Sequence, residues 1–170
     1  METNISGGLN MVTLREITSE NYDECLALKV HDDQKEFVVS NMKSLAEAWV
    51  FYTVARPFAI YHEDTMVGFL MVDIDPNLVG SNDLCFLWRF MIDAKYQGCG
   101  YGKAAMHEVI NYVKTNFNPK TFETSTVPGN DAAEKLYRSF GFLPNGEYHV
   151  GEKVLVLNMR AEQELMECTL

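Results

Sequence analysis

The sequence MIDAKYQGCGYGK occupies residues 91–103 and joins an apolar strand to an amphipathic helix through a glycine-rich turn. Gly98, Gly100 and Gly102 allow backbone N–H groups to approach a ligand without obstruction from a Cβ atom. The helix that follows adds N–H donors that have no partner within the helix, and it adds the positive end of the helix dipole. Because this combination suits an anion, the turn predicts a site for a phosphate-bearing ligand.

The composition of the 170 residues narrows the class of protein. Lys and Arg number 14 against 24 Asp and Glu, and the net charge of −10 disfavours nucleic acid, whose binding depends on neutralising phosphates. At 47% hydrophobic, the chain can bury one sizeable core, yet no apolar run approaches the length of a membrane span. The four cysteines and four histidines show no metal-type spacing. We therefore expect a cytoplasmic protein with no metal site and no membrane segment.

Hydrophobic periodicity predicts a single mixed α/β domain over residues 11–170, preceded by a loose leader at residues 1–10. No internal repeat or linker interrupts it. The expected elements, in chain order, are a strand (12–17), two helices, a hairpin (56–61 and 66–74), a turn-rich loop (75–83), a buried strand (84–92), the helix behind the glycine turn, a strand (121–127), a helix ending at Gly141, and a second hairpin (142–149 and 153–159).

Three helix starts carry capping signals. Ser19 is expected to cap the first helix, which would extend as far as Lys29. Ser44 and Glu47 form a capping box for the second helix, and Asn130 is placed to cap the helix after the 121–127 strand.

Two common phosphate-binding motifs compete for the glycine turn. A P-loop does not fit, because Ala104 follows Lys103 where that motif needs a hydroxyl. Gly100, Gly102 and Ala105 do satisfy the dinucleotide fingerprint GxGxxG/A, and the acidic Glu123 lies about twenty residues further on. That fingerprint normally follows the first strand of its fold, whereas four strands and two helices are expected before it here. Nicotinamide binding is therefore the less favoured alternative.

A third interpretation uses two segments together. Gln97, Gly100 and Gly102 match Q/R-x-x-G-x-G/A, the pyrophosphate turn of the GNAT superfamily of N-acetyltransferases. The segment from Asn130 to Phe142 matches that superfamily's N-x-x-A-x-x-L-Y-x-x-x-G-F. The motifs stand in the family order, separated by a helix and a strand. The chain thus resembles a GNAT enzyme, which implies a central twisted mixed β-sheet flanked by helices.

Further residues narrow the resemblance. The strand end RFMID at residues 89–93 and a hairpin carrying NGE at 145–147 and GEKV at 151–154 are similar to bacterial spermine/spermidine acetyltransferases. This similarity implies acetyl transfer from acetyl-CoA to a primary amine, with a polyamine as acceptor, by direct attack in a ternary complex. It leaves a homodimer open as the assembly. A peptide amine as acceptor, or a non-catalytic acyl-CoA sensor, remains the alternative.

The resemblance also implies which residues hold acetyl-CoA. Backbone groups of the glycine turn would cradle the pyrophosphate, the end of the central strand would pair with the pantetheine amides, and a later side chain would contact the arm. These residues are Gln97, Gly98, Cys99, Gly100, Tyr101 and Gly102, with Lys103 beside them, then Met91 and Ile92, and then Asn130.

The resemblance assigns one catalytic residue and leaves the general base open. The resemblance implies that the Tyr137 phenol hydrogen-bonds or protonates the departing thiolate. Several relatives carry a carboxylate just before the position of Phe90, whereas Leu87-Trp88-Arg89 stands here. The base therefore stays open among Asp83, Glu123, Glu152 and a water chain.

A polyamine needs carboxylates and aromatic rings around its ammonium groups. The candidates for holding it are the carboxylates of Asp32, Asp33, Glu36, Glu123 and Glu152, with Trp49 and Tyr52 nearby in sequence.

Overall fold

The computed structural model describes residues 11–74 and 84–160, whose strands form one seven-stranded mixed sheet with helices on both faces. The strands are β1 (Thr13–Glu16), β2 (Ala55–His62), β3 (Thr65–Asp73), β4 (Leu84–Ile92), β5 (Thr121–Thr126), β6 (Leu143–His149) and β7 (Glu152–Asn158). The helices are α1 (Tyr22–Ala27), α2 (Asn41–Val50), α3 (Tyr101–Asn116) and α4 (Asp131–Ser139), with 3-10 turns at Asp32–Gln34 and Ala94–Tyr96. The mixed α/β fold is confirmed; the expected leader and the 75–83 loop lie outside the described residues.

The two faces of the sheet bury separate apolar clusters. On one face, Met106 and Val109 of α3 pack with Phe122 of β5. On the other face, Cys25 of α1 packs with Met91 of β4, and α2 adds partly buried side chains. Each amphipathic helix therefore covers one side of a sheet that is apolar on both. Within residues 11–74 and 84–160, no helix has the length and apolar character that crossing a bilayer requires.

The strand order β1-β2-β3-β4-β5-β7-β6 places β4 and β5 side by side at the centre. Among the described strands they form the parallel pair, and the other neighbours are antiparallel. Their pairing runs from Leu84 with Thr121 to Leu87 with Thr124 and then stops. The remaining half of β4 and the last residues of β5 diverge, which opens a wedge in the sheet.

A β-bulge lies at the start of this wedge. Arg89 pairs with Met71 and Leu87 pairs with Val72, so Trp88 is the extra residue of β4. A bulge bends its strand and increases the local twist. The bend of β4 therefore begins where its pairing with β5 ends.

Two of the expected helix starts are wrong. α1 begins at Tyr22, because Thr18 and Asn21 close a turn in which the Tyr22 N–H donates to the Thr18 carbonyl at 3.0 Å, and Ser19 lies inside that turn. α1 also ends at Ala27, before Lys29.

The second helix start lies one turn earlier than expected. The Ser40 hydroxyl accepts from the Lys43 N–H at 3.3 Å and caps α2. Ser44 is fully buried inside the helix and donates to the Ser40 carbonyl at 3.1 Å. The expected cap at Asn130 is confirmed, since its side chain accepts from the Ala133 N–H at 3.3 Å.

We predict that Gly68→Ala destabilises the fold. Gly68 pairs with Ile92 across β3 and β4, and a Cβ atom there would overlap the Met91 carbonyl oxygen and lie 2.9 Å from Ile92 Cδ1. Overpacking of this kind lowers the free energy of unfolding by about 1–3 kcal/mol, which urea titration would measure. Gly102→Ala is the matched control, since its Cβ would stand 3.7 Å from Leu136 Cδ2. Equal unfolding free energies for the two variants would contradict the prediction.

Candidate active site

The wedge between β4 and β5 opens into a cavity of about 300 Å³. Its walls come from the segment before α2, the free half of β4, the end of β5, and α4. The lining residues are Val30, Gln34, Phe37, Val38, Val39, Leu87, Trp88, Arg89, Phe90, Met91, Ile92, Tyr96, Gln97, Gly98, Gly102, Thr124, Ser125, Thr126, Val127, Asn130, Ala132, Ala133, Leu136, Tyr137 and Glu152. The cavity thus brings both sequence motifs to one place.

The glycine turn forms one end of the cavity. Gly98 and Gly100 have φ values of 77° and 85°, a region that L side chains rarely adopt, and a Cβ at Gly98 would meet no atom within 4 Å. Gly100 is the N-cap of the 16-residue α3, so the first N–H groups of a long helix lie beside this open space. An anionic pyrophosphate fits this set of donors.

Only some residues of the glycine turn line the cavity. Gln97, Gly98 and Gly102 line the cavity, whereas Cys99 and Lys103 are exposed and do not. The ring of Tyr101 packs against His62, with centroids 4.9 Å apart. If Cys99, Tyr101 and Lys103 contact a bound phosphate group, their backbone groups are therefore the better-placed atoms.

The backbone of the free half of β4 forms one wall. Met91 and Ile92 are buried and pair with Phe69 and Gly68 of β3, while the β5 ladder stops short of them. The cavity occupies the side where a neighbouring strand would lie. An extended, amide-bearing ligand could add to this edge as a strand does.

Tyr137 projects from α4 into the cavity and is 5% exposed. Burial raises the pKa of its phenol to about 12; the nearby Glu152 carboxylate also raises it, and Thr124 acts in the opposite direction. The rings of Phe90 and Phe142 pack around it, with centroids 6.5 Å and 6.0 Å away. The phenol therefore keeps its proton at neutral pH and can donate it.

A carboxylate shares this cavity with the phenol. Glu152, the first residue of β7, accepts a hydrogen bond from the Ser125 hydroxyl of β5 through its Oε2 atom. Thr124, which precedes Ser125 on β5, donates to the Leu87 carbonyl at 3.1 Å. This is the last pair of residues in the β4–β5 ladder. A proton acceptor and a proton donor thus face the same space.

Arg89 also lines the cavity, and sequence reasoning missed its partner. Its Nη2 atom lies 2.8 Å from Glu47 Oε2, its Nη1 donates to the Trp88 carbonyl at 2.9 Å, and its guanidinium stands 5.0 Å from the Trp88 ring. Among the described residues that line the cavity, Arg89 and Glu152 are the charged ones. Since Glu47 balances Arg89, the cavity presents one uncompensated carboxylate.

The other predicted acids do not line the cavity. Asp32, Asp33 and Glu36 are exposed, and Asp32 forms an ion pair of 2.5 Å with Lys35 that lowers its pKa. Glu123 is half-buried; desolvation and then the neighbouring carboxylate of Glu147 raise its pKa. The structure therefore brings Glu152 to the cavity and leaves the other four outside it.

Some candidates lie elsewhere. The rings of Trp49 and Tyr52 are 82% and 72% exposed, away from the lining. Asp83, the remaining candidate base, lies outside the described residues. The apolar wall of Phe37, Val38 and Val39 was not identified as part of a site, because these residues follow neither helix nor strand periodicity. Within the described ranges, no His, Cys, Asp or Glu side chains gather in a group that could hold a metal ion.

Comparisons with known proteins identify the family of this chain. Residues 13–142 match the family model described as Acetyltransferase (GNAT) family. The chain is 32% identical over 148 residues to the spermine/spermidine N(1)-acetyltransferase of Bacillus subtilis strain 168, and the alignment covers 85% of this chain and 97% of that relative.

Solved structures share the fold. A spermidine N-acetyltransferase from Vibrio cholerae, in complex with CoA and spermine, has a TM-score of 0.67 at 17% identity and covers 86% of this chain and 93% of its own. A ribosomal-protein acetyltransferase gives the same TM-score, 0.67, at 14% identity, with coverage of 87% and 90%. At such identities the likeness shows the fold alone.

These findings exclude the nicotinamide alternative. The acetyltransferase family model matches across both motifs, and the glycine turn follows the fourth strand, whereas a dinucleotide-binding fold places it after the first strand. The chain belongs to the GNAT acetyltransferase family and is an acetyl-CoA-dependent N-acetyltransferase.

Proposed function

We propose that this enzyme acetylates a primary amine of a polyamine such as spermidine or spermine. The observation that carries the proposal is that Glu152 and Tyr137 line the same cavity. The other charged residue in the described lining, Arg89, is neutralised by Glu47. A single carboxylate in a mainly apolar cavity suits an ammonium group at the end of a methylene chain. The Bacillus subtilis relative, a spermine/spermidine acetyltransferase, supports the same substrate class.

The cofactor side is formed by the glycine turn and the free edge of β4. We propose that backbone N–H groups from Gln97 to Gly102, with Lys103 near them, hold the pyrophosphate. Met91 and Ile92 would receive the pantetheine arm, and Asn130 would contact it. Bound there, acetyl-CoA supplies an acetyl thioester as the electrophile.

The acceptor side is formed by Glu152 and the apolar wall. Glu152 would pair with the reactive ammonium, while Phe37, Val38 and Val39 enclose the adjoining methylene groups. The exposed Asp32 and Glu36 would contact, at most, the far end of a long polyamine. This division would let a long, multiply charged amine bind at a cavity that has one uncompensated carboxylate.

Proton transfer needs both Glu152 and Tyr137. A lysine-like amine with a pKa of about 10.4 is mostly protonated at neutral pH, so a group must accept its proton. We assign that role to the Glu152 carboxylate, which first takes one proton from the ammonium and passes it to solvent, so that the neutral amine can attack. Glu152 then accepts a second proton from the nitrogen as the carbon–nitrogen bond forms. Tyr137 then donates its phenol proton to the sulfur as the carbon–sulfur bond breaks. The second proton, held by Glu152, returns to Tyr137 through solvent, and the first is the net proton released, which balances the cycle.

Direct attack, without an acyl-enzyme, follows from the position of the thiols. Cys99 is exposed and does not line the cavity, and the described cysteines Cys25 and Cys85 are buried with pKa values raised to about 11. A thiol with a raised pKa is a poor nucleophile at neutral pH. We therefore propose a ternary complex.

A panel of amines tests the substrate class. We expect purified enzyme with acetyl-CoA to acetylate spermidine and spermine at least about tenfold more efficiently, by kcat/KM, than lysine or a peptide N-terminus, because those amines carry carboxyl or amide groups that the apolar wall does not accommodate. Mass spectrometry of the products would identify the modified nitrogen. A peptide amine that is preferred over spermidine would overturn the assignment.

Tyr137→Phe should reduce kcat by about 100-fold, because the departing sulfur loses its proton donor. Acetyl-CoA affinity, measured by calorimetry, should change little. Because the phenol pKa is raised to about 12, Tyr137 should cause no decline in wild-type activity between pH 7 and 10. Tyr112→Phe is the matched control; this tyrosine packs between Phe58 and Phe117, outside the cavity. Unchanged turnover in Tyr137→Phe would remove the phenol from the mechanism.

Glu152→Gln should lower kcat/KM for spermidine by about 100-fold, since glutamine can neither pair with the ammonium nor accept its proton. The amide still accepts from Ser125, so the local fold should be kept. The control Glu108→Gln removes an exposed carboxylate of α3. Wild-type rates in Glu152→Gln would return the role of base to another group.

A further inference from the structure

The side chains of Gln34 and Gln97, which both line the cavity, form a reciprocal amide pair. Gln97 Nε2 donates to Gln34 Oε1 at 2.8 Å, and Gln34 Nε2 donates to Gln97 Oε1 at 3.1 Å. Gln97 Nε2 also donates to the Ile92 carbonyl at 3.0 Å. One residue of the pair belongs to the glycine turn, and the other belongs to the segment that precedes α2.

Gln34 holds the wall that faces the acceptor. Its Oε1 also accepts from the His31 N–H at 3.2 Å and so closes the 3-10 turn at Asp32–Gln34. That turn leads directly into Phe37, Val38 and Val39, which line the cavity. The position of Gln34 therefore sets where this apolar wall begins.

A second link joins the same two segments. The Lys29 N–H donates to Asp93 Oδ2 at 2.8 Å, and the Ala94 N–H donates to the Lys29 carbonyl at 2.7 Å. Asp93 is buried, and its other oxygen accepts from the Lys95 N–H at 2.9 Å. Residues 29–34 are thus hydrogen-bonded at both ends to residues 92–97. The segment that leads into the apolar wall is therefore attached to the end of β4 and to the turn that follows it.

We propose that Gln34 is a positioning residue. Through its bond to Gln97 it fixes residues 30–39, the segment that contains the apolar wall and is called the acceptor wall below, relative to the glycine turn. A cofactor that fixes Gln97 fixes its amide partner, so cofactor binding orders the wall and strengthens amine binding. Coupling through a shared element is reciprocal, so the bound amine strengthens cofactor binding by the same factor. The acceptor half rests on the proposed function; the cofactor half requires only CoA.

The first test needs no acceptor. Hydrogen–deuterium exchange of the full chain, with and without CoA, should show slower amide exchange in residues 30–39 of the wild type on CoA binding. In Gln34→Leu, which keeps the volume but makes no hydrogen bond, that protection should disappear while the glycine turn stays protected. The control, Glu108→Gln, changes an exposed side chain of α3 outside residues 30–39 and should behave as wild type. Exchange of residues 30–39 that ignores CoA in the wild type, or protection that persists in Gln34→Leu, would overturn the proposal.

Kinetics provide the second test. Gln34→Leu should raise KM for spermidine at saturating acetyl-CoA by about tenfold, whereas the Kd of CoA measured without amine should change by less than about twofold. Gln34→Glu, whose carboxylate still accepts from Gln97 Nε2, should restore part of the loss. A CoA Kd that rises without amine as much as the KM for spermidine would indicate a merely structural role and contradict the proposal. If the wild type does not acetylate spermidine, the substrate assignment fails, and the exchange experiment decides the role of Gln34 alone.

Discussion

The hydrogen-bond ladder between β4 and β5 ends at Leu87 and Thr124, and the arrangement of the active site depends on where it ends. Backbone groups that leave a ladder must find other partners, so a sheet that opens at its centre needs something to enter the gap. In this protein the Thr124 hydroxyl closes the last step by donating to the Leu87 carbonyl, and the bulge at Trp88 bends β4 away immediately beyond it. The wedge therefore has a fixed vertex, and the residues on either side of it diverge in a defined direction. A ladder that continued as far as Met91 and Ile92 would pair the strand edge that the pantetheine arm is expected to use.

Local patterns predicted much of the fold and two of the segments that line the cavity. The glycine turn, the helix behind it and the Asn130 cap each depend on contacts within a few residues, which sequence spacing reveals. The second helix start was wrong because Ser40 and Ser44 are both suitable caps by spacing. Only the packing of α2 against the sheet, which buries Ser44, distinguishes them.

The remainder of the site depends on contacts between distant parts of the chain. Ser125 and Glu152 are 27 residues apart, Glu47 and Arg89 are 42 apart, and Gln34 and Gln97 are 63 apart. Register and strand order create these pairs, and hydrophobic periodicity carries no information about either. The same reason explains why five carboxylates looked equivalent in the sequence and only one lines the cavity. The acids that stayed outside still contribute to the net charge of −10, which attracts cations over distances of about 10 Å and weakens with salt. Under the proposed function, the surface acids would attract the amine, and Glu152, the carboxylate among the described residues that line the cavity, would orient it.

The exposed Cys99 has a practical consequence for anyone who follows the reaction with a thiol-reactive dye. It stands between two glycines of positive φ, so neither neighbour shields it, whereas Cys25 and Cys85 are buried and stay protonated at neutral pH. A dye that is meant to count liberated CoA will also label the enzyme at this position. A bound nucleotide would cover the turn, so the background signal would depend on how much ligand occupies it. The dye's reaction with Cys99 then becomes a reporter of occupancy in its own right, measurable before any amine is added.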